Sequence, residues 1–233
     1  MNARLLAPLF CTACAVTGHD VRPTDLGATR SSNDLLQVLD QPGPVTVETV
    51  AAADWSVARS GLINLKRPAA RELKDGDETI EVFFHVIRHP QRGAFLVDTG
   101  VEAAAKDPKK AAFKGLLARE LHLEKLTLKT PLGAWLAAHP QEPPQAVFLT
   151  HIHVDHIWGM PDLPSSTRVF VGPGEAQARA FLNLFIKPNT DRALAGKPTL
   201  ETWAFKPDPA GRFEGVIDVF GDGSFWALYV PGH

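Results

Sequence analysis

Cysteine is almost absent from this 233-residue chain, and both copies, Cys11 and Cys14, lie in its first segment. If that segment is removed, the body has no disulfide, no thiol nucleophile and no thiolate metal ligand. An excess of one charge is also missing: 24 Lys and Arg face 26 Asp and Glu, for a formal net charge of -2. That balance leaves neither a basic stripe for nucleic acid nor an acidic solvating tail. Lys106, Lys109, Lys110 and Lys114 gather, but acidic residues flank them, and they read as a solvated helix face. There is no internal repeat and no Gly-rich nucleotide motif, since Gly172-Pro173-Gly174 lacks the further glycine and the lysine. No Ser-His-Asp grouping can be built. Long hydrophobic runs are lacking too, so nothing reads as a bilayer-spanning helix.

What is there begins with a short apolar run. Arg4 precedes Leu5-Leu-Ala-Pro-Leu-Phe-Cys-Thr-Ala-Cys-Ala-Val16, which has the length of a signal-peptide core. Ala13-Cys14-Ala15 fits a cleavage site, and Cys11-Thr-Ala-Cys14 resembles a lipobox in which Cys14 is acylated, with Cys11 where leucine is usual. Residues 1–16 are therefore expected to be a signal peptide. The mature protein would be exported, either periplasmic or lipid-anchored to a bacterial membrane through Cys14. The alternative is an ordinary apolar N-terminal helix.

Residues 17–45 are polar, with scattered Gly, Pro and Ser, and read as a tether or loosely packed lead-in. From residue 46 to 233 the chain reads as one domain, because 45% hydrophobic content fills a single substantial core. Thr79–Arg88 and Ala94–Asp98 read as strands around a turn at His89–Gly93. Residues 101–140 read mostly as helix, with a new helix from Pro131 that ends near His139-Pro140, and a lid is conceivable in the lysine-bearing part. Strands are expected at Ala146–Thr150 and Arg168–Val171, and a helix at Glu175–Phe185. Further strands are expected at 203–205, 216–220 and 224–230, the last pair joined by a tight turn at Asp222-Gly223. Mixed in this way, they predict helices layered on sheet.

One cluster carries chemistry. His151-Ile-His153-Val-Asp155-His156 follows an apolar strand. Side chains alternate along a strand, so His151 and His153 project to one side and can reach one ion at about 2.0–2.1 Å. Asp155 and His156 follow where the chain turns and can face a second ion. Imidazole and carboxylate suit zinc, manganese or iron. By chance the pattern arises on the order of once in a thousand chains of this length. The other histidines, His19, His85, His89, His122 and His139, have no ligand spacing and read as surface or packed residues.

Val97-Asp98-Thr99-Gly100, then Thr150–His156, then Tyr229-Val-Pro-Gly-His233 stand in the order of the first three motifs of the metallo-β-lactamase superfamily. The chain resembles that family over residues 75 to 233, most closely its lactonase-like branch. The resemblance implies an α+β fold, a four-layer αββα sandwich. It implies His151, His153 and His233 on a first metal, and Asp155 and His156 on a second. It implies two divalent ions, zinc first, with Asp98 orienting ligands from behind. The alternative for Asp98 is a plain turn-former before Thr99-Gly100. The family has small residues where Ile157-Trp158-Gly159-Met160 stands, so Trp158 is read either as a pocket wall or as core. The family pattern continues to a bridging aspartate and a last histidine that this chain does not show. An incomplete sandwich is accordingly expected.

The activity implied is hydrolysis of a small-molecule lactone, ester or β-lactam by a water or hydroxide held at the metals, with Asp155 as ligand or proton carrier. Alternatives on the same motif are a thioesterase or phosphodiesterase, a mononuclear iron oxygenase, or an inactive metal-binding remnant. A closed structural zinc site would need four ligands on one ion, whereas this pattern spreads five over two.

Overall fold

The computed structural model describes residues 15–41, 43–180 and 182–232. Eleven strands are described: β1 (Val21–Pro23), β2 (Ala28–Thr29), β3 (Thr46–Ala58), β4 (Asp77–His89), β5 (Gly93–Val97), β6 (Thr127–Leu128), β7 (Ala146–Phe148), β8 (Arg168–Val171), β9 (Leu200–Thr202), β10 (Gly215–Asp218) and β11 (Trp226–Tyr229). Eight form one sheet in the order β1-β9-β8-β7-β5-β4-β3-β6, and β11-β10-β2 form a second. In the large sheet β6, β3, β4 and β5 run antiparallel, whereas β5, β7, β8, β9 and β1 run parallel.

The apolar alternation explains the layering. Val82, Phe84 and Val86 of β4, Leu96 of β5, Val147 of β7 and Val169 and Val171 of β8 enter one core. Their neighbours Ile87, Phe95, Phe148 and Phe170 enter another, with Trp203 and with Ile217 of β10. Strands buried on both faces read as continuous apolar runs rather than as alternation. The first core lies under the helices, and the second lies between the two sheets. Helix, large sheet and small sheet are thus stacked as the α+β resemblance implies.

Six α-helices are described: α1 (Ser32–Val38), α2 (Arg59–Leu62), α3 (Leu116–Glu120), α4 (Leu132–Ala138), α5 (Val154–Ile157) and α6 (Asn183–Ala193). None is long and apolar enough to cross a membrane. Ser31 caps α1 in a capping box with Asp34.

Several elements differ from those expected. Residues 17–45 are stitched in rather than tethered. β1 pairs with β9, β2 pairs with β10, and Asp208 accepts the Ser32 N–H at 3.0 Å. The 13-residue strand β3 was not anticipated, and a bulge at Ala51/Ala53 interrupts its ladder with β4. Most of residues 101–131 is turns, not helix. Gly115 sits at φ +72°, and the chain is held by long-range contacts, with Glu102 accepting the Ala112 N–H at 2.8 Å. Burial pushes the Glu102 carboxyl up to about 7, against the pull of that hydrogen bond. A helix at 175–185 does not form because Arg179 bridges Ala15, and α6 starts only at Asn183. The strand expected at 203–205 is shifted to β9. The turn between β10 and β11 is a loop over residues 219–225, where Asp218 accepts the N–H groups of Gly221 and Gly223, each at 2.9 Å.

Trp158 corrects the pocket-wall reading. It is completely buried in the helix-side core, edge-on to Trp55 at 5.8 Å and to Phe113 at 5.6 Å. Trp158→Ala is expected to cost about 3–5 kcal/mol of stability, as a large emptied core position does. Chemical denaturation checks this, and a loss below about 1 kcal/mol would return Trp158 to a solvent-facing wall.

Candidate metal centre

The site forms where parallel strands end. β5, β7 and β8 point their carboxyl ends at one rim, and the loops that leave them carry Asp98, Thr150–His156 and Gly172–Glu175. Open parallel sheets commonly bind ligands at such an end. Ile152 buries itself in the helix-side core and is only 3% exposed, while His151 and His153 project away from it. Their ring centroids lie 4.5 Å apart, and those of His151 and His156 lie 3.9 Å apart. Asp155 and His156 belong to the single turn of α5.

Asp98 lies directly behind this cluster. It is buried, at φ +56°, a left-handed conformation that asparagine and aspartate tolerate better than most residues. Oδ1 accepts the Thr150 N–H at 2.8 Å, and Thr150 Oγ1 donates at 2.9 Å to Oδ2. Oδ2 also accepts His156 Nδ1 at 2.7 Å. Thr99, next in the chain, clasps α5 by its own N–H and hydroxyl, both donating to the His156 carbonyl at 2.9 and 2.8 Å. The Thr99 hydroxyl in turn accepts the Gly159 N–H at 3.0 Å. A side chain at Gly159 would meet the Thr99 carbonyl oxygen at 2.0 Å, so glycine is required for this approach.

His156 therefore has a carboxylate on each nitrogen, Asp98 on Nδ1 and Asp155 on Nε2 at 3.3 Å. Burial disfavours its cation, but the hydrogen bonds it donates to Asp155 and Asp98 outweigh that, and its pKa is pushed up to about 10. Burial also opposes the charge on Asp155, yet His156 holds its carboxyl below the usual range. Among the described residues, no three His, Cys, Asp or Glu side chains converge as a formed metal cage. The donors pair with one another instead, since Asp155 takes the Nε2 edge that an ion would use. The donor set nonetheless fits a divalent ion. Imidazoles and a carboxylate share one rim, and Asp98 on Nδ1 leaves Nε2 of His156 as the ligating nitrogen.

His233, Cys11 and Cys14 lie outside the described residues, as do residues 1–14 of the expected signal peptide. Gly232 lines the same cavity of about 380 Å³ as His151, together with Phe148, Trp203, Phe205 and Tyr229 between the two sheets. Glu175 also lines it and was missed from the sequence, where it read as an ordinary helix residue. Its Oε2 accepts the Ile152 N–H at 3.3 Å, between His151 and His153. The only local signal was its place after Gly172-Pro173-Gly174. The remaining histidines are engaged elsewhere: His85 with Thr49, His89 with Asp222, His122 with Glu124, His139 with the Trp135 carbonyl and His19 with Thr17.

A model of the metallo-beta-lactamase superfamily matches residues 81–233, which is more than half of the chain. The chain belongs to the metallo-beta-lactamase superfamily. It is 32% identical over 99 residues to a gamma-lactamase of Fusarium pseudograminearum, covering 38% of this chain and 22% of that relative. Among solved structures it is similar to a probable metal-dependent hydrolase from Staphylococcus aureus, with TM-score 0.46 and 13% identity over 81% of this chain and 73% of that one. It is also similar to a B. thuringiensis AiiA mutant with N-decanoyl-L-homoserine bound at the active site, with TM-score 0.43 and 14% identity over 67% of this chain and 58% of that one. The chain thus spans about a fifth of the curated relative and somewhat over half of the AiiA structure.

Two outcomes test the geometry. In metal-free protein, the His156 ring should stay protonated from pH 6.5 upward and titrate near about 10, with Asp98→Asn lowering that value. The raised pKa adds stability that is fully present below pH 6.5 and is lost as the pH rises through about 10. Histidine NMR titration reads both, and a midpoint near 6.5 would refute the double carboxylate pairing. Glu175→Ala should weaken zinc binding by about 10-fold, as loss of an outer-shell partner does, while Glu175→Gln keeps an acceptor and most of the affinity. Chelator competition measures this, and unchanged affinity in Glu175→Ala would remove Glu175 from the site.

Proposed function

We propose that this protein hydrolyses a carbonyl substrate, a lactone, another ester, or a cyclic amide such as a β-lactam, with the help of two divalent metal ions, zinc first. The observation that carries this reading is the Asp98 carboxylate. It ties the end of β5 to Thr150 and His156, so that three imidazoles and Asp155 share one rim. Within that substrate class, the gamma-lactamase relative supports cyclic amides.

His151 and His153, with His233 by family resemblance, would hold one ion, and Asp155 and His156 the other. Divalent ions at such a rim lower the pKa of a coordinated water toward roughly 7 and polarise a carbonyl. The chain's own groups do the rest. Asp98 keeps the His156 ring oriented and its Nδ1 protonated, which fixes the ligating nitrogen. Asp155, which pairs with His156 Nε2 at 3.3 Å, would help hold the second ion and could carry a proton to or from the reacting water. His156 would have to give up its Nε2 proton to hold an ion, so ion affinity should rise with pH below about 10. The aromatic walls of the cavity beside His151 shield the reacting carbonyl from bulk water.

The test is elemental analysis with a panel of lactones, esters and lactams, on the full chain and on His151→Ala/His153→Ala. The unaltered protein should carry zinc and turn over at least one of them. The double variant should lose one ion and at least about a hundredfold in rate. Iron content with oxygen uptake, or unchanged metal and turnover in the double variant, would defeat the proposal.

A further inference from the structure

The cavity of about 380 Å³ beside His151 is walled by aromatic rings from both sheets: Phe148, Trp203, Phe205, Phe225, Trp226 and Tyr229. Phe148 is the last residue of β7, and Trp203 directly follows β9. Phe225 and Ala227 pack against the core between the sheets. Side chains alternate along β11, the edge strand of the small sheet, so Tyr229 faces the same way. The rings form a continuous wall. Phe205 lies nearly flat on Tyr229, with centroids 5.2 Å apart and planes at 16°. Phe148 lies 5.5 Å from Trp203 and 5.6 Å from Phe225.

The polar groups in this lining are engaged with the protein itself. Thr150 Oγ1 donates to Asp98, Glu175 accepts the Ile152 N–H, and Trp226 Nε1 donates to the Gly223 carbonyl at 2.8 Å. No lysine or arginine is among the described lining residues. An anionic group placed between these rings would lose water without gaining a counter-ion. A neutral ring gains burial together with the offset and edge-on contacts that aromatic faces favour, whereas an alkyl chain gains burial alone. Size agrees as well. A cavity of roughly 150 Å³ takes one benzene ring, so this one has room for a ring and a reacting carbonyl group beside it.

We propose that this cavity recognises a neutral aromatic substituent carried next to the reacting carbonyl, in preference to a linear alkyl chain or a carboxylate-bearing group. Because His151 lines the same cavity, a ring held there leaves its carbonyl at the metal rim. The substrate class rests on the hydrolytic reading, whereas the binding preference can be measured without turnover.

Calorimetry on the full chain tests the preference with indole, the similarly hydrophobic 1-hexanol, and indole-3-acetate, none of which can be hydrolysed. Indole should bind at least about twofold more tightly than 1-hexanol and at least about tenfold more tightly than indole-3-acetate. Ala227→Phe fills the cavity and should weaken indole by at least about tenfold. Phe205→Leu keeps the wall apolar but removes a ring, and should weaken indole about 2- to 10-fold while 1-hexanol changes little. In turnover, γ-phenyl-γ-butyrolactone should be preferred over γ-hexyl-γ-butyrolactone, which has the same reacting ring. No indole binding, equal affinity for indole and 1-hexanol, or unchanged indole binding in Ala227→Phe would each overturn the proposal. A preference for the hexyl lactone would overturn the aromatic substrate class and leave hydrolysis standing. Indole bound as expected, with no lactone turned over, would support the pocket and count against hydrolysis alone.

Discussion

A buried carboxylate that must find donors organises this protein. Asp98 is taken out of water at the end of β5, and an unpaired charge there would be costly. The Thr150 amide, the Thr150 hydroxyl and His156 Nδ1 meet that demand, and all three come from the segment after β7. One side chain therefore fixes the spacing of two strand ends and the rotation of α5. The left-handed backbone at Asp98 is the cost of aiming the carboxylate backward, and Thr99 reinforces the same contact through the His156 carbonyl.

The sheet architecture explains why the cluster lies at a rim rather than inside a core. β5, β7 and β8 are buried on both faces, so their polar chemistry can occur only where they end. Ile152 repeats the logic at the scale of one residue, since its burial in the helix-side core turns His151 and His153 outward. Glu175 approaches from the next parallel strand and holds the intervening amide. Three consecutive loops of the parallel half thus converge on one point, whereas the antiparallel β3 and β4 supply the breadth of the core.

Much of the parallel half was legible because its local and tertiary demands agree. The strands at 79–88, 94–98, 146–150 and 168–171 carry β-branched and aromatic residues bounded by turn residues, and they form where expected. The region 101–131 was misread as helix because alanine, leucine and lysine favour helix locally. Glu102, Gly115 and the contacts with α6 pull it into turns. The helix expected at 175–185 yielded to the Ala15–Arg179 bridge, a partner more than a hundred and fifty positions away that no local pattern reports.

By itself the sequence determined the motif chemistry, because H-x-H-x-D-H needs only the period of a strand and the turn after it to put imidazoles and a carboxylate on one side. It determined the family as well, through three motifs in order. Tertiary structure alone decided that Trp158 is core, that Glu175 joins the rim, and that both nitrogens of His156 are held by carboxylates. Those outcomes depend on which distant strand ends meet. That is set by burial of whole faces rather than by any residue's neighbours along the chain.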